Sequence, residues 1–222
     1  MADVVFEEAA EAEAVDGAQA RTQVLVVGAG AAGLSAALSA RQAGAEVLLL
    51  ERDPSPQGST AMSQGAICAA GSRVQREAGI EDAPEALIAD VMEKTSGTAD
   101  PVITRLSAEA SGPVMDWLTD EVGLNYAVNP GWTGFFGHSI NRLHSLPTQS
   151  GVELSGGLQT ACEAAGVQTV CGAHVTALHA CADGRVHAAT VRRPDGSDEK
   201  IACRALVAAT CGFGANRDMV RE

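Results

Sequence analysis

Apolar positions along the chain fall into two kinds of pattern. Short continuous runs rich in Val and Leu predict buried strands, and apolar residues three or four apart predict amphipathic helices. Residues 23–27, Gln-Val-Leu-Val-Val, form the first run. Residues 34–43 are rich in Ala and Leu, without Pro or Gly, and predict a helix that ends at Gly44. Residues 47–50 predict a second strand, closing at Glu51. Asp82, Pro84 and Glu85 mark a helix start, with an acid cap and an early proline. A stripe of Leu87, Ile88, Val91 and Met92 follows it. Asp100 and Pro101 open another helix with Val102, Ile103 and Leu106 directed inward, and Val114, Met115, Trp117 and Leu118 predict a third. Residues 151–165 predict a further helix, with Val152, Leu158, Ala161 and Cys162 on one side and Gly166 at its end. Strands are predicted at 168–170, 174–180, 185–193 and 200–203, with turn signals at Ala182-Asp183-Gly184 and Pro194-Asp195-Gly196. That is a small antiparallel meander. Residues 205–210 then predict a buried parallel strand.

The opening strand, the turn Gly28-Ala29-Gly30-Ala31-Ala32-Gly33, the helix and the second strand form a βαβ unit with a G-x-G-x-x-G turn. Each residue type has a physical reason. Gly28 permits a tight turn, Gly30 lets the backbone approach a pyrophosphate, and Gly33 lets the helix pack closely on the strand. The helix start offers unpaired amides and the positive end of its dipole to phosphates. Glu51 stands 23 positions after Gly28, where an acid accepts ribose hydroxyls and disfavours the 2′-phosphate of NADP. The competing reading is a glycine-rich turn without a ligand.

This motif does not separate FAD from NAD. A plain NAD domain continues with further βαβ units, whereas residues 54–66 are small, polar and glycine-bearing. Amides and hydroxyls in such a stretch can follow a long cofactor from its second phosphate toward a flavin ring. A plain surface loop is the alternative.

From here the sequence resembles the flavoprotein family of soluble fumarate reductases, succinate dehydrogenase flavoprotein subunits, L-aspartate oxidase and 3-ketosteroid dehydrogenases. Gly58-Ser59-Thr60 resembles that family's G-[NSH]-[ST] step, and Ser63-Gln64-Gly65 its flavin-side loop. Ser139-Ile140-Asn141-Arg142-Leu143-His144 resembles a segment of flavocytochrome-type fumarate reductases, and Gly137-His138-Ser139 with Arg142-Leu143-His144 a pattern of aspartate oxidases. Residues 208–216 resemble an A-x-G-G-F-x-x-N strand end. The resemblance covers residues 22–222, nearly the whole chain.

It implies an α/β fold: a Rossmann-like FAD-binding domain of the glutathione-reductase type, with a parallel sheet, flanking helices and an antiparallel meander as crossover, incomplete at its C-terminus. It implies FAD at Gly28, Gly30, Ala31, Ala32 and Gly33, at Glu51 and the adjacent Arg52, and along Gly58, Ser59, Thr60, Ser63, Gln64 and Gly65. Val175, Thr210 and Gly212 complete the implied set. Two positions depart from the pattern, with Gln57 and Cys211 where glycines are usual. Ser59 stands where membrane-bound members carry a histidine linked to FAD, so the resemblance implies non-covalent FAD.

Composition narrows the picture. With 46% hydrophobic and 19% charged residues, the chain can build a sizeable core. A net charge of −13 argues against nucleic acid and against an anionic membrane surface, and no apolar run approaches a spanning length. Residues 1–20 hold Asp3, Glu7, Glu8, Glu11, Glu13 and Asp16 with no Lys or Arg, so residues 1–21 read as a disordered acidic leader unlike a secretory signal. The FAD-binding part is expected at 22–216, and 217–222 as the start of a capping domain. Cys68, Cys162, Cys171, Cys181, Cys203 and Cys211 lack C-x-x-C spacing and are expected as free buried thiols in a reducing, cytoplasmic setting. The five histidines show no metal-ligand spacing, so no metal is expected.

Residues 129–150 form a loop-like stretch holding Trp132, Phe135, Phe136, His138, Arg142 and His144. It reads either as a pocket wall with Arg142 or His144 facing an anionic group, or as a surface loop with local hydrogen bonds. The resemblance implies an FAD-dependent oxidoreductase like fumarate reductase, moving a hydride between flavin N5 and a C–C bond beside a carboxylate or carbonyl. Its substrate would be a small dicarboxylate or an enone, its electron partner open. A 3-ketosteroid-type dehydrogenase or an aspartate oxidase is the alternative enzyme, and a non-catalytic dinucleotide-binding module the alternative of another class. The family's capping domain and its proton-transferring arginine belong to later sequence, so no residue here is assigned a catalytic role.

Overall fold

A computed structural model describes residues 5–8, 15–128 and 137–221 of the chain. It divides into two units, one of Met1–Ser59 with Leu158–Glu222 and one of Thr60–Gly157.

The first unit is built on a seven-stranded sheet. Its strands are β1 (Val5–Glu8), β2 (Ala20–Val27), β3 (Val47–Leu50), β7 (Gln168–Val170), β8 (His174–Ala180), β9 (Val186–Arg192) and β10 (Asp198–Ala208). They lie in the order β1-β8-β9-β10-β2-β3-β7. The β10, β2, β3 and β7 strands are parallel, whereas β8–β9 and β9–β10 are antiparallel. The predicted meander is thus the crossover. Leu25, Val27, Leu48 and Leu50 pack with Val175, Val191 and Ile201 in one cluster. Val26 and Leu49, which alternate with them, are buried as well. Because both faces of β2 and β3 are covered, these strands read as continuous apolar runs rather than alternating ones. Helix α1 (Ala31–Gln42) lies against β2 and β3 and buries Gly33, Leu34, Ala37 and Leu38.

Three expectations change here. Residues 1–21 are not wholly a frayed leader: Val5–Glu8 pairs parallel with β8 from Ala177 to Ala180, and Ala20 and Arg21 belong to β2. The strands expected at 200–203 and 205–210 are one strand, β10. It pairs antiparallel with β9 up to Ala202 and parallel with β2 through Ala208, so one extended segment serves two neighbours. Its second half is not buried, with Arg204, Ala205 and Ala208 exposed.

The second unit contains a three-stranded antiparallel sheet of β4 (Ile67–Cys68), β6 (Leu143–Ser145) and β5 (Ala127–Val128), in that order. Its helices are α3 (Arg73–Glu77), α4 (Pro84–Lys94) and α5 (Pro101–Asp120). A four-residue helix, α2 (Gly58–Ala61), and a longer one, α6 (Gly151–Ala164), run across the division of the units. A short helix, α7 (Arg217–Arg221), closes the described chain. Ala70, Leu87 and Ala108 form a core patch with Ile88 and Val91 against it.

Asp82 does not cap α4; Ala83 occupies the cap position without a side-chain bond. The helices expected near 101 and 114 are one helix that runs through Pro113. Asp100 does cap it, accepting the Val102 and Ile103 amides. Its buried stripe is Ala108, Gly112, Met115 and Leu118. Val102, Ile103 and Leu106, expected inward, are 54%, 62% and 49% exposed. At about 100° per residue, Leu106 points nearly opposite to Ala108. Small residues mark the packed face instead: a Cβ on Gly112 would stand 2.5 Å from the Ala70 carbonyl oxygen.

Leu25 is fully buried in the cluster of the first unit. Leu25→Ala is expected to destabilise the chain by about 2–5 kcal/mol, read from the denaturant midpoint. An unchanged midpoint would remove Leu25 from the core.

Candidate functional site

The parallel strands end together. Val27 of β2 is level with Leu50 of β3 and with Ala208 of β10, and Leu50 is level with Val170 of β7. Gly28, Glu51, Cys171 and Ala209 therefore follow one carboxyl edge, where open parallel sheets bind ligands.

Gly28 has φ +102° and donates its amide to the Leu50 carbonyl at 2.7 Å. A Cβ there would also meet the Ala209 carbonyl oxygen at 2.5 Å, so both conformation and space demand glycine. Gly33 has an ordinary helical backbone, but its Cβ would lie 1.7 Å from the Gly28 carbonyl oxygen. This is the close helix-to-strand approach expected of the third glycine. Gly30 sits at φ −76° as the N-cap of α1, with no side-chain cap bond and no acid in the first turn. Ala32 is exposed there. A helix start so furnished presents amides and a positive dipole end to an anion, and this donor set fits the pyrophosphate of a dinucleotide.

Glu51 is held rather than loose. One carboxylate oxygen accepts the Ala29 amide at 2.8 Å and the other the Asp53 amide at 2.9 Å. Each oxygen keeps a further lone pair for a ribose hydroxyl. The Glu51 main chain is tied to β7 and its exit, through its amide to the Val170 carbonyl and the Ala173 amide to its own carbonyl. Arg52 points outward and pairs with Asp53 at 3.1 Å, which pushes its pKa up.

At the end of β10, Thr210 and Gly212 are exposed, and Gly212 is extended at φ −87°. The left-handed residue is Cys211, at φ +66°, one of the two positions where the resemblance expects glycine. Its Sγ lies 3.8 Å from the Ser59 Oγ. Val175 buries its side chain in the core, leaving only main chain for any ligand.

In the second unit, residues 60–65 form a bonded loop. Ser63 donates its hydroxyl to the Thr60 carbonyl at 2.7 Å and accepts the Gly65 amide at 3.0 Å. Gln64 is exposed. Two contributors escaped the sequence patterns: Gly151, whose amide donates to the Ser63 carbonyl at 2.8 Å, and Tyr126, whose hydroxyl donates to the Gly65 carbonyl at 2.8 Å. No motif marks either, because both bond backbone carbonyls distant in sequence.

Arg142 and His144 do not face an incoming anion. The Arg142 guanidinium is buried and grips Asp82 with two bonds, 2.7 Å and 2.9 Å, while a third nitrogen bonds Asp90. Asp90 also takes the Ser139 amide and hydroxyl. Burial alone would raise the Asp90 pKa, but the Ser139 amide and the guanidinium hold it below its usual value. His144 is fully buried; its Nδ1 donates to the Arg142 carbonyl at 2.8 Å, and its Nε2 accepts the Ser72 hydroxyl at 2.7 Å. Burial pushes its pKa down. Both side chains are spent on bonds within this unit, against the pocket-wall reading, and both are buried rather than on a surface loop, against the other. Trp132, Phe135 and Phe136 lie outside the described residues. The cysteines are all free, but only Cys162 and Cys203 are buried, while Cys68 and Cys211 are exposed. Among the described residues no helix is long and apolar enough to cross a membrane.

The sheet edge, the glycine turn and the strand-end acid define a dinucleotide-binding α/β domain. Residues 23–222 match the family described as FAD binding domain, and the chain belongs to that family. It is 33% identical over 199 residues to a probable fumarate reductase of Shewanella frigidimarina, covering 90% of this chain and 34% of that protein. The solved open conformation of a flavocytochrome c3 fumarate reductase superposes with a TM-score of 0.82 at 31% identity, over 94% of this chain and 37% of that one. A 3-ketosteroid-Δ4-(5α)-dehydrogenase of Rhodococcus jostii, solved with 4-androstene-3,17-dione, gives 0.84 at 25% identity, over 98% of this chain and 51% of that one. The chain spans about a third of the length of the first of these relatives.

Two predictions follow from this geometry. A buried neutral His144 with a lowered pKa contributes stability that is complete above the unfolded value of about 6.5 and is lost as pH falls below it. Asp90, also lowered, adds loss of the same sign at more acid pH. Urea unfolding from pH 7.5 to 5.5 should show a declining midpoint, flattened in His144→Asn; a midpoint that rises toward acid contradicts this. Cys211→Gly relieves a left-handed side-chain conformation and should raise stability by about 1 kcal/mol.

Proposed function

We propose that this chain supplies the FAD-holding part of an oxidoreductase resembling fumarate reductase, with FAD bound non-covalently. The supporting observation is the strand-end arrangement in which the Glu51 carboxylate holds the Ala29 amide beside the uncapped start of α1. In this reading the α1 start, with Gly30, Ala31, Ala32 and Gly33, takes the pyrophosphate, and Gly28 keeps the turn tight. Glu51 orients the adenosine ribose, with Arg52 beside it. Val175, Thr210 and Gly212 lend main-chain contacts. Gly58, Ser59 and Thr60, with Ser63, Gln64 and Gly65, serve the flavin end, as the resemblance implies. Bound flavin would supply hydride exchange between its N5 and a C–C bond next to a carboxylate or carbonyl.

The chain's own contribution is to bind and orient. A proton donor and a clamp for substrate charge are needed besides, and none of its residues is assigned to either. A dicarboxylate substrate is favoured by the likeness to the fumarate reductases. The likeness to the ketosteroid dehydrogenase supports a second reading, an enone substrate. Reduction of fumarate by reduced methyl viologen, assayed on the protein as its gene encodes it, tests the first. Turnover of a steroid enone with none of a dicarboxylate would replace it by the second.

Purified chain reconstituted with FAD should show flavin bands at near-equimolar yield, and protein that retains ADP but no flavin would contradict the FAD assignment. Glu51→Ala should weaken retention by about 1–3 kcal/mol through loss of a charged acceptor. Unchanged retention takes Glu51 out of the site.

A further inference from the structure

Tyr126 is the sole tyrosine of the chain, and it is only 6% exposed. It lies immediately before β5, outside every motif, and spends its hydroxyl on the Gly65 carbonyl at 2.8 Å. Burial, reinforced by the negative charge of Glu153, raises the phenol pKa, so the hydroxyl remains a donor. The loop it holds is anchored from other directions too. Gly65 has φ +66°, and a Cβ there would stand 2.9 Å from the Ser150 carbonyl oxygen. A Cβ on Gly151 would stand 1.8 Å from the Thr60 carbonyl oxygen, while the Gly151 amide donates to the Ser63 carbonyl. Within the same loop Met62, Ser63 and Gln64 remain exposed. The segment thus has a pinned inner side and a presented outer side.

We propose that Tyr126 is a positioning residue. Its bond sets the Gly65 carbonyl and thereby holds residues 60–65 in the arrangement that receives the flavin end of FAD, without touching the cofactor itself. The proposal rests on the FAD reading above. It separates two halves of binding: the ADP end is assigned to Gly28–Gly33 and Glu51, and the flavin end to the loop that Tyr126 holds.

That separation gives the test. FAD and ADP are each titrated by calorimetry into the apo 222-residue chain and into Tyr126→Phe, which removes only the hydroxyl. The expected result is FAD binding weakened by about 3–10-fold, ADP binding unchanged, and an altered visible circular dichroism of bound flavin at saturation. Gly151→Ala, whose Cβ would displace the Thr60 carbonyl and so shift the same loop from its other anchor, should give the same selective loss and serves where Tyr126→Phe folds poorly. Equal weakening for FAD and ADP would reveal a merely structural tyrosine and overturn the proposal. Unchanged FAD affinity and flavin dichroism in both variants, with wild type binding FAD, would overturn it while leaving the FAD reading intact. A wild-type chain that binds ADP but no FAD would overturn both.

Discussion

The first unit depends on the bond from the Ala29 amide to the Glu51 carboxylate, 2.8 Å long. It joins the turn after β2 to the end of the neighbouring parallel strand. Gly28 makes that bond reachable, because only a residue at φ +102° without a Cβ can turn under the Ala209 carbonyl. Gly33 then lets α1 descend onto the turn, so that the helix starts at the sheet edge. An acid fixed by two amides has little freedom left to lose, so in the proposed role, taking a ribose, its preorganisation would favour affinity.

The same edge explains why β10 must be long. Its first half closes the meander against β9, and its second half reaches the level of Val27, so that residues 209–212 arrive beside the glycine turn. The Ala209 amide bonds the Val27 carbonyl at 2.8 Å, which fixes how near that segment comes. A meander inserted between parallel strands therefore brings distant sequence to the nucleotide edge while keeping every strand bonded to its neighbours.

Much of this was legible in residue patterns. Continuous apolar runs bounded by glycines located β2, β3 and the turn, because a sheet covered on both faces leaves an uninterrupted signal. The strand-end acid was legible by spacing alone. Helix faces were less so. Periodicity assigned Val102, Ile103 and Leu106 to a core that is instead built around Ala108 and Gly112, since close packing selects small residues and a hydrophobicity pattern does not weigh them. Arg142 and His144 were the hardest. A buried cation and a solvent-facing one have the same letter, and only the position of Asp82 and Asp90, 60 and 52 residues away, distinguishes them.

That buried cluster bears on what the second unit can do. Removing a guanidinium from water is costly unless its donors are met, and here two carboxylates meet them. Asp82 is also bonded by Gln75, whose side chain reaches the Ser72 amide and the Asn141 carbonyl as well, while the Ser72 hydroxyl turns to His144. The start of α3, the approach to α4 and strand β6 are thereby bound into one polar network. Strand β6, which carries His144, pairs with both β4 and β5. Tyr126 leads directly into β5. The ion cluster is thus continuous, through one short sheet, with the residue whose hydroxyl bonds the Gly65 carbonyl.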